Sequence, residues 1–251
     1  MLEELQRPPP PALADNDALF LDVDGTLVAF ADHPDKVIPA DDLPRLLSLL
    51  SLRLQGALAL VSGRSISQLD ALFSPLRLPA AGLHGAQLRR SADAELPQSA
   101  TASWLHELHR QAESLAHHHP GMLVENKGQA LALHWRNAPD AASAIVAFAH
   151  RQLPHLPGVR VQPGNHVIEF VAADHDKGRA LQALMQAPPF AGRRPVFVGD
   201  DLTDEHGFTV AAQLSGHGVL VGNRHDSHAP YALPGVTAVH AWLRAAAQPS
   251  A

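Results

Sequence analysis

The chain has 251 residues, 46% of them hydrophobic and 18% charged, with a formal net charge of −6. That length suits one large domain or two small ones, and the apolar share excludes a wholly disordered chain. No run of about 18 apolar residues offers a membrane span, no basic region feeds an apolar run near the N-terminus as in a signal peptide, and no cysteine is present. Disulfides, thiolate catalysis and Cys-ligated zinc are therefore excluded, and a cytoplasmic location is expected. With a negative net charge and no Lys/Arg-rich run, nucleic acid and membrane are not expected partners.

Residues 1–16 are polar and Pro-rich and predict a mobile lead-in. Ala18 to Val23 then reads as a buried strand that ends in the turn Asp24-Gly25-Thr26. Leucines at helical spacing over 41–54 predict a helix capped by Asp41 or Asp42. A second apolar strand, Ala57 to Val61, ends in Ser62-Gly63-Arg64, and a helix with Ser65 as its cap follows to Phe73. Strand, helix, strand, helix with continuously apolar strands predicts a parallel α/β sheet covered on both faces.

After residue 90 the pattern changes. An amphipathic helix over 101–118 precedes a hairpin, Leu123–Glu125 and Gln129–Trp135, turning through Lys127-Gly128. An Ala-rich helix over 139–152 precedes a second hairpin, Val159–Val161 and His166–Val171. From residue 176 the earlier pattern resumes: a helix near 176–187, the strand Pro195–Val198 running into Gly199-Asp200-Asp201, a helix from Thr203, and the strand Val219–Val221. The expected fold class is therefore α/β, a Rossmann-like parallel-sheet core over 17–89 and 174–251 with a smaller α+β domain inserted over 90–173.

In an open parallel sheet, ligands bind beyond the carboxyl ends of the strands. Those ends carry Asp22 and Asp24, Ser62, and Asp200 and Asp201, with Asp204 nearby. Any one of these carboxylates could be a helix cap. Together they crowd one rim, where like charges about 4 Å apart repel by some 4 kcal/mol per pair at an effective dielectric near 20. A hard divalent cation relieves that repulsion, and Mg²⁺ suits a site of few carboxylates, waters and phosphate. Lys177, Thr26 and Ser62 add donors for phosphate oxygens, so the set suits phosphoryl transfer. Of the 19 basic residues only Lys36, Lys127 and Lys177 are lysines, a hint that a compact amine is needed where one is kept.

Asp22-Val23-Asp24-Gly25-Thr26, Ser62, Lys177 and Gly199-Asp200-Asp201 with Asp204 resemble, in order, the four motifs of the haloacid dehalogenase superfamily of phosphatases. The resemblance implies that Asp22 is the nucleophile and forms an aspartyl-phosphate, with Asp24 as general acid and then general base. It further implies a Mg²⁺ held by Asp22, Asp200 and the main-chain carbonyl of Asp24. Asp201 and Asp204 would orient that set and Lys177, and Ser62, Thr26 and Lys177 would bind the phosphoryl group. The insert lies where this superfamily places an α/β cap that selects substrate, and closure of the cap over the core is expected.

Within the insert, Glu125-Asn126-Lys127-Gly128 and Leu131 to Arg136 resemble cap segments of the trehalose-6-phosphate phosphatase family, and Glu169 matches the acidic residue of a later cap motif. Ser62-Gly63-Arg64 and Gly82-Leu83-His84-Gly85 are similar to its core segments. An uncharged disaccharide has to be read by hydrogen bonds to vicinal hydroxyls, and Glu125, Lys127, Arg136 and Glu169 are of the right types. A solvated hairpin with a surface salt bridge is the competing reading of the same residues. The resemblance implies substrate contacts also from Arg64, His84 and Gly85, with a core or turn role the equal alternative for His84, a sugar phosphate as substrate, and functional coupling to a trehalose-6-phosphate synthase. The chain is too short to include a synthase domain, so a stand-alone enzyme is expected.

Two departures from the family pattern stand out. Phe170-Val171-Ala172-Ala173 follows Glu169 in place of an Arg/Lys-Pro pair, and Gln87 stands where Glu is usual. The rival readings are a related phosphatase acting on sucrose phosphate or mannosylglycerate phosphate, and a non-catalytic sugar-phosphate-binding module. The 17 histidines are read mainly as surface or structural residues.

Overall fold

Ala18, Leu19, Phe20 and Leu21 lose all contact with solvent in the strand β1 (Asp17–Leu21), the middle strand of the larger sheet. Only a strand covered on both faces carries so unbroken an apolar run. The computed structural model describes residues 7–30, 37–96 and 103–248, and the chain divides into two compact units, Met1–Leu96 with Asp176–Ala251 and Pro97–His175.

From β1 the larger unit continues through α1 (Leu43–Arg53), β2 (Leu58–Val61), α2 (Ile66–Leu72), β3 (Ala80–Gly82) and β4 (Gln87–Arg89). The smaller unit follows with α3 (Leu105–His117), β5 (Leu123–Asn126), β6 (Leu131–His134), α4 (Ala142–Gln152), β7 (Val159–Gly164) and β8 (Val167–Ala172). The chain then returns to the larger unit in α5 (Lys177–Met185), β9 (Arg194–Gly199), α6 (Asp204–Gln213), β10 (His217–Val221), β11 (Tyr231–Leu233) and α7 (Val236–Ala247).

The larger sheet has the order β11-β10-β9-β1-β2-β3-β4, parallel throughout except for β3–β4. Leu19 pairs with Leu58 on one side and Val196 on the other. The chain runs outward from β1 through β2 and β3, and later outward from β9 through β10 and β11 on the opposite side. The direction of winding therefore reverses between β1 and β9, and such a reversal opens a ligand crevice at the carboxyl ends of the strands.

The smaller sheet is antiparallel in the order β5-β6-β8-β7. Its period-two alternation separates two faces. Leu131, Leu133, Ile168, Phe170 and Val159 pack with Leu105, Leu108, Ile145 and Phe148 of α3 and α4. In the opposite parity Glu125 pairs with Ala132, Ala132 with Glu169, and Glu169 with Gln162, a row across four strands that is polar on β5, β8 and β7.

Several sequence expectations change. Residues 7–16 are docked rather than mobile: Arg7 donates to the carbonyls of Arg224 and His225, Leu13 is buried, and Trp242 Nε1 donates to the Pro11 carbonyl. Residues 1–6 lie outside the described set, as does Lys36. Asp42 occupies the cap position of α1 but does not cap it, because its carboxylate accepts from Arg244 of α7 at 2.8 Å. Ser65 does cap α2, in a reciprocal box with Gln68. The smaller unit begins at residue 97, not 90, since β4 pairs with β3 and Leu88 and Leu96 pack on the larger core. Four elements have no counterpart in the sequence reading: β3, β4, β11 and α7.

Candidate active site

The strand order β9-β1-β2 brings three strand ends side by side, and each is followed at once by a polar residue: Asp200, Asp22 and Ser62. Asp22 and Ser62 are almost fully buried, as are Thr26, Lys177 and Asp204. So many buried polar groups have to satisfy one another. Lys177, in the first turn of α5, donates to Asp22 Oδ1 at 2.8 Å and to Asp204 Oδ1 at 2.7 Å. The other oxygen of Asp204 accepts from the Asp201 amide at 2.9 Å. Thr26 Oγ1 lies 3.4 Å from both Asp22 Oδ2 and Asp200 Oδ1.

Glycines make this convergence sterically feasible. Gly25 has a φ of +85°, and a Cβ there would lie 2.2 Å from Asp200 Oδ2. A Cβ on Gly199 would lie 2.2 Å from Asp204 Cγ. Only glycine lets the two carboxylates approach the backbone that closely.

The electrostatics are those of a cluster short of positive charge. Carboxylate oxygens of Asp22, Asp200 and Asp204 lie within 4.8 Å of one another, with one ammonium among them. Burial pushes the Asp22 carboxyl well above its ordinary value; Lys177 opposes that shift, while Asp204 and Asp200 add to it. Asp200 is pushed up to about 7, by burial first and by the Asp204 charge second. Burial alone would lower Lys177, but Asp204 and Asp22 together hold it protonated above its ordinary value. Three hard oxygen donors in reach of one point, with carboxyls that resist ionising together, fit a divalent cation of the Mg²⁺ type.

The structure treats the sequence-predicted residues unequally. Asp22, Asp200, Asp204, Thr26 and Lys177 form one cluster. The Asp24 carboxylate is instead gripped by Arg64, with Nε to Oδ2 and Nη2 to Oδ1 each at 2.7 Å. Asp201 accepts from the Leu202 amide through its side chain and reaches Asp204 through its main chain. Ser62 Oγ accepts from the Arg64 amide at 3.1 Å, which leaves its proton for a ligand. His84 is buried, and its amide donates to the Ser62 carbonyl at 3.0 Å. Gly85, at a φ of +106°, packs so close to the Asp176 carbonyl that a Cβ would come within 2.9 Å, which accounts for the glycine by packing beside α5. Gln87 Oε1 accepts from the Ile66 amide at 2.8 Å, so the departure from Glu still serves the start of α2.

On the polar face of the smaller sheet, Lys127 Nζ donates to Glu169 Oε1 at 2.6 Å and lies 3.8 Å from Glu125 Oε2. His134 Nε2 lies 3.0 Å from the same Glu125 oxygen. His134 enters the sequence reading only as part of the family-like His134-Trp135-Arg136 segment and not as a site residue; its even spacing from Ala132, the cross-strand partner of Glu125, places it on this face. Arg136 donates at 3.5 Å to the Asn165 carbonyl in the β7–β8 turn. Among the described residues the histidines at 106, 109 and 117–119 join no group of three or more candidate metal ligands, and His109 Nε2 lies 3.3 Å from Glu113 one turn further along α3.

Comparison with known proteins agrees with the geometry. The family described as trehalose-phosphatase matches residues 20–236. The trehalose-6-phosphate phosphatase of Escherichia coli (strain K12) is 41% identical over 237 residues, covering 93% of this chain and 87% of that protein. A trehalose-phosphate phosphatase of Mycobacterium bovis (strain BCG / Pasteur 1173P2) is 32% identical over 215 residues, covering 83% of this chain and 54% of that one. The C-terminal domain of C. albicans trehalose-6-phosphate phosphatase shares the fold, with a TM-score of 0.80, 23% identity, and coverage of 94% of this chain and 98% of that one. With the buried Asp22–Lys177–Asp204 cluster at the sheet reversal, these matches establish that the chain belongs to the trehalose-phosphatase family of phosphomonoester hydrolases.

Proposed function

We propose that this protein hydrolyses trehalose 6-phosphate to trehalose and inorganic phosphate through an aspartyl-phosphate on Asp22. The observation that carries the mechanism is the pairing of buried Asp22 with Lys177 at 2.8 Å. That contact fixes one carboxylate oxygen, so the other is oriented toward a phosphorus atom in the crevice. Ser62, Thr26 and Lys177 supply donors for the phosphoryl oxygens, and Asp24 gives a proton to the leaving sugar oxygen and then removes one from water. Asp22 and Asp200, with the Asp24 carbonyl, would hold Mg²⁺, and Asp204, which accepts from Lys177 and the Asp201 amide, would orient that set. The cation, when bound, neutralises charge that builds on the transferring phosphoryl group.

We assign sugar reading to the smaller unit, acting as the cap, with Glu125, Lys127 and Glu169 as its central residues and Arg136 as a further contact. Their spacing of 2.6 to 3.8 Å presents alternating acceptors and a donor, the pattern that vicinal hydroxyls can bridge. A cytoplasmic location and supply of substrate by a trehalose-6-phosphate synthase belong to the same proposal. Steady-state kinetics on a panel of sugar phosphates tests it. A kcat/KM for trehalose 6-phosphate well above those for sucrose phosphate and mannosylglycerate phosphate is expected. Equal rates across the panel would sink the assignment, and unchanged phosphate release by Asp22→Asn would overturn the mechanism.

A further inference from the structure

The turn Ser62-Gly63-Arg64 after β2 is held from several sides. Leu83 donates its amide to the Arg64 carbonyl at 2.9 Å, His84 donates to the Ser62 carbonyl at 3.0 Å, and Gln87 accepts from Ile66 at 2.8 Å. Gly82 completes the clamp, since a Cβ there would meet the Arg64 carbonyl at 2.9 Å. From this fixed base Arg64 does two things. Its main-chain amide holds the Ser62 hydroxyl at 3.1 Å, and its guanidinium forks onto both oxygens of Asp24 at 2.7 Å. The Arg64 side chain is 11% exposed and that of Asp24 28%, so the carboxylate is the more open partner, with the arginine behind it.

A short carboxylate side chain rotates among staggered positions, whereas a bidentate fork admits one. We propose that Arg64 is the positioning residue for Asp24, coupling the phosphoryl-binding hydroxyl and the proton-transferring carboxylate through one rigid turn, rather than a sugar contact. The inference rests on the phosphatase reading above. In the first step Asp22 bonds to phosphorus, the bond from phosphorus to the sugar oxygen breaks, and the Asp24 proton passes to that oxygen. In the second step Asp24 takes a proton from water, the water oxygen bonds to phosphorus, and the bond to Asp22 breaks, releasing phosphate. Arg64 touches no reacting atom in either step; it sets where the Asp24 oxygens stand.

The test compares wild type, Arg64→Ala, Arg64→Lys, Asp24→Asn and the Arg64→Ala/Asp24→Asn double variant, each with Mg²⁺. The readout is kcat/KM on esters from p-nitrophenyl phosphate to alkyl phosphates, trehalose 6-phosphate included. An acidic phenol leaves without a proton, whereas an alkoxide needs one. Arg64→Ala is expected to lower kcat/KM about 100-fold on alkyl esters and under about threefold on the aryl ester. Arg64→Lys, which keeps the charge but loses the fork, should fall between, and Arg64→Ala should cost little further in the Asp24→Asn background. A uniform loss across the esters, full additivity with Asp24→Asn, or a raised KM for trehalose 6-phosphate alone would overturn the role. Wild-type turnover of neither ester class would sink the phosphatase reading itself, and the role with it.

Discussion

Lys177→Met removes the one buried cation from a cluster that otherwise holds Asp22, Asp200 and Asp204. Lys177 contacts two carboxylates at 2.7 and 2.8 Å, and at an effective dielectric near 20 each contact is worth several kcal/mol before desolvation is subtracted. Breaking a buried pair by removing one partner typically costs about 3–5 kcal/mol, because the remaining charge is left uncompensated. The metal-free variant is therefore expected to unfold in urea with about 3–5 kcal/mol less stability than wild type. Two further results follow from the same cause. Mg²⁺ should stabilise the variant more than it stabilises wild type, since it replaces missing positive charge. Asp204→Asn added to Lys177→Met should recover part of the loss, since it removes one of the stranded negatives. Urea titrations in chelator and in Mg²⁺ measure all three quantities. A metal-free loss below about 1 kcal/mol, with the same Mg²⁺ response as wild type, would refute the charge-cluster argument.

Other predictions are read by different measurements. Asp200 is raised from 3.8 to about 7, so the metal-free folded protein keeps a proton that the unfolded chain has already released. Its contribution to stability is therefore lost as pH climbs from about 4 through 7, and Mg²⁺ affinity rises over the same window as the proton leaves. Calorimetric titration at several pH values checks this, and a pH-independent affinity would contradict it. Gly25→Ala places a Cβ 2.2 Å from Asp200 in a left-handed conformation, and should lose about 1–3 kcal/mol of stability together with Mg²⁺ affinity. Glu169→Gln weakens the 2.6 Å contact to Lys127 and should raise KM for trehalose 6-phosphate while p-nitrophenyl phosphate turnover stays near wild type. Asp70→Asn removes the negative charge and one of the two 2.6 Å acceptors facing the buried Arg89 guanidinium and should cost about 2–3 kcal/mol, less than a fully buried pair because Asp70 is partly exposed; thermal unfolding measures it.

The sequence by itself determined the elements that bear chemistry. Ala18 to Leu21 and Leu58 to Val61 are apolar without interruption, and only strands buried on both faces read that way. Because ligands gather where such strands end, Asp22, Ser62 and Asp200 could be named as one constellation before any distance was known. The short strands β3, β4 and β11, three residues each and at or next to the sheet's edges, were invisible because so few residues show no period.

Tertiary structure alone decided how the charges share their partners. Asp24 and Asp200 look alike in sequence, yet one is gripped by Arg64 and the other stands with Asp22 and Asp204. Asp42 sits at a helix start and serves Arg244 instead of capping. His134 joins Glu125 only through the β5–β6 register. Periodicity and strand-end chemistry are local properties that a sequence displays directly. The partner of a carboxylate depends on which strands become neighbours and on the angle of each turn, and those are fixed only when the whole sheet closes around them.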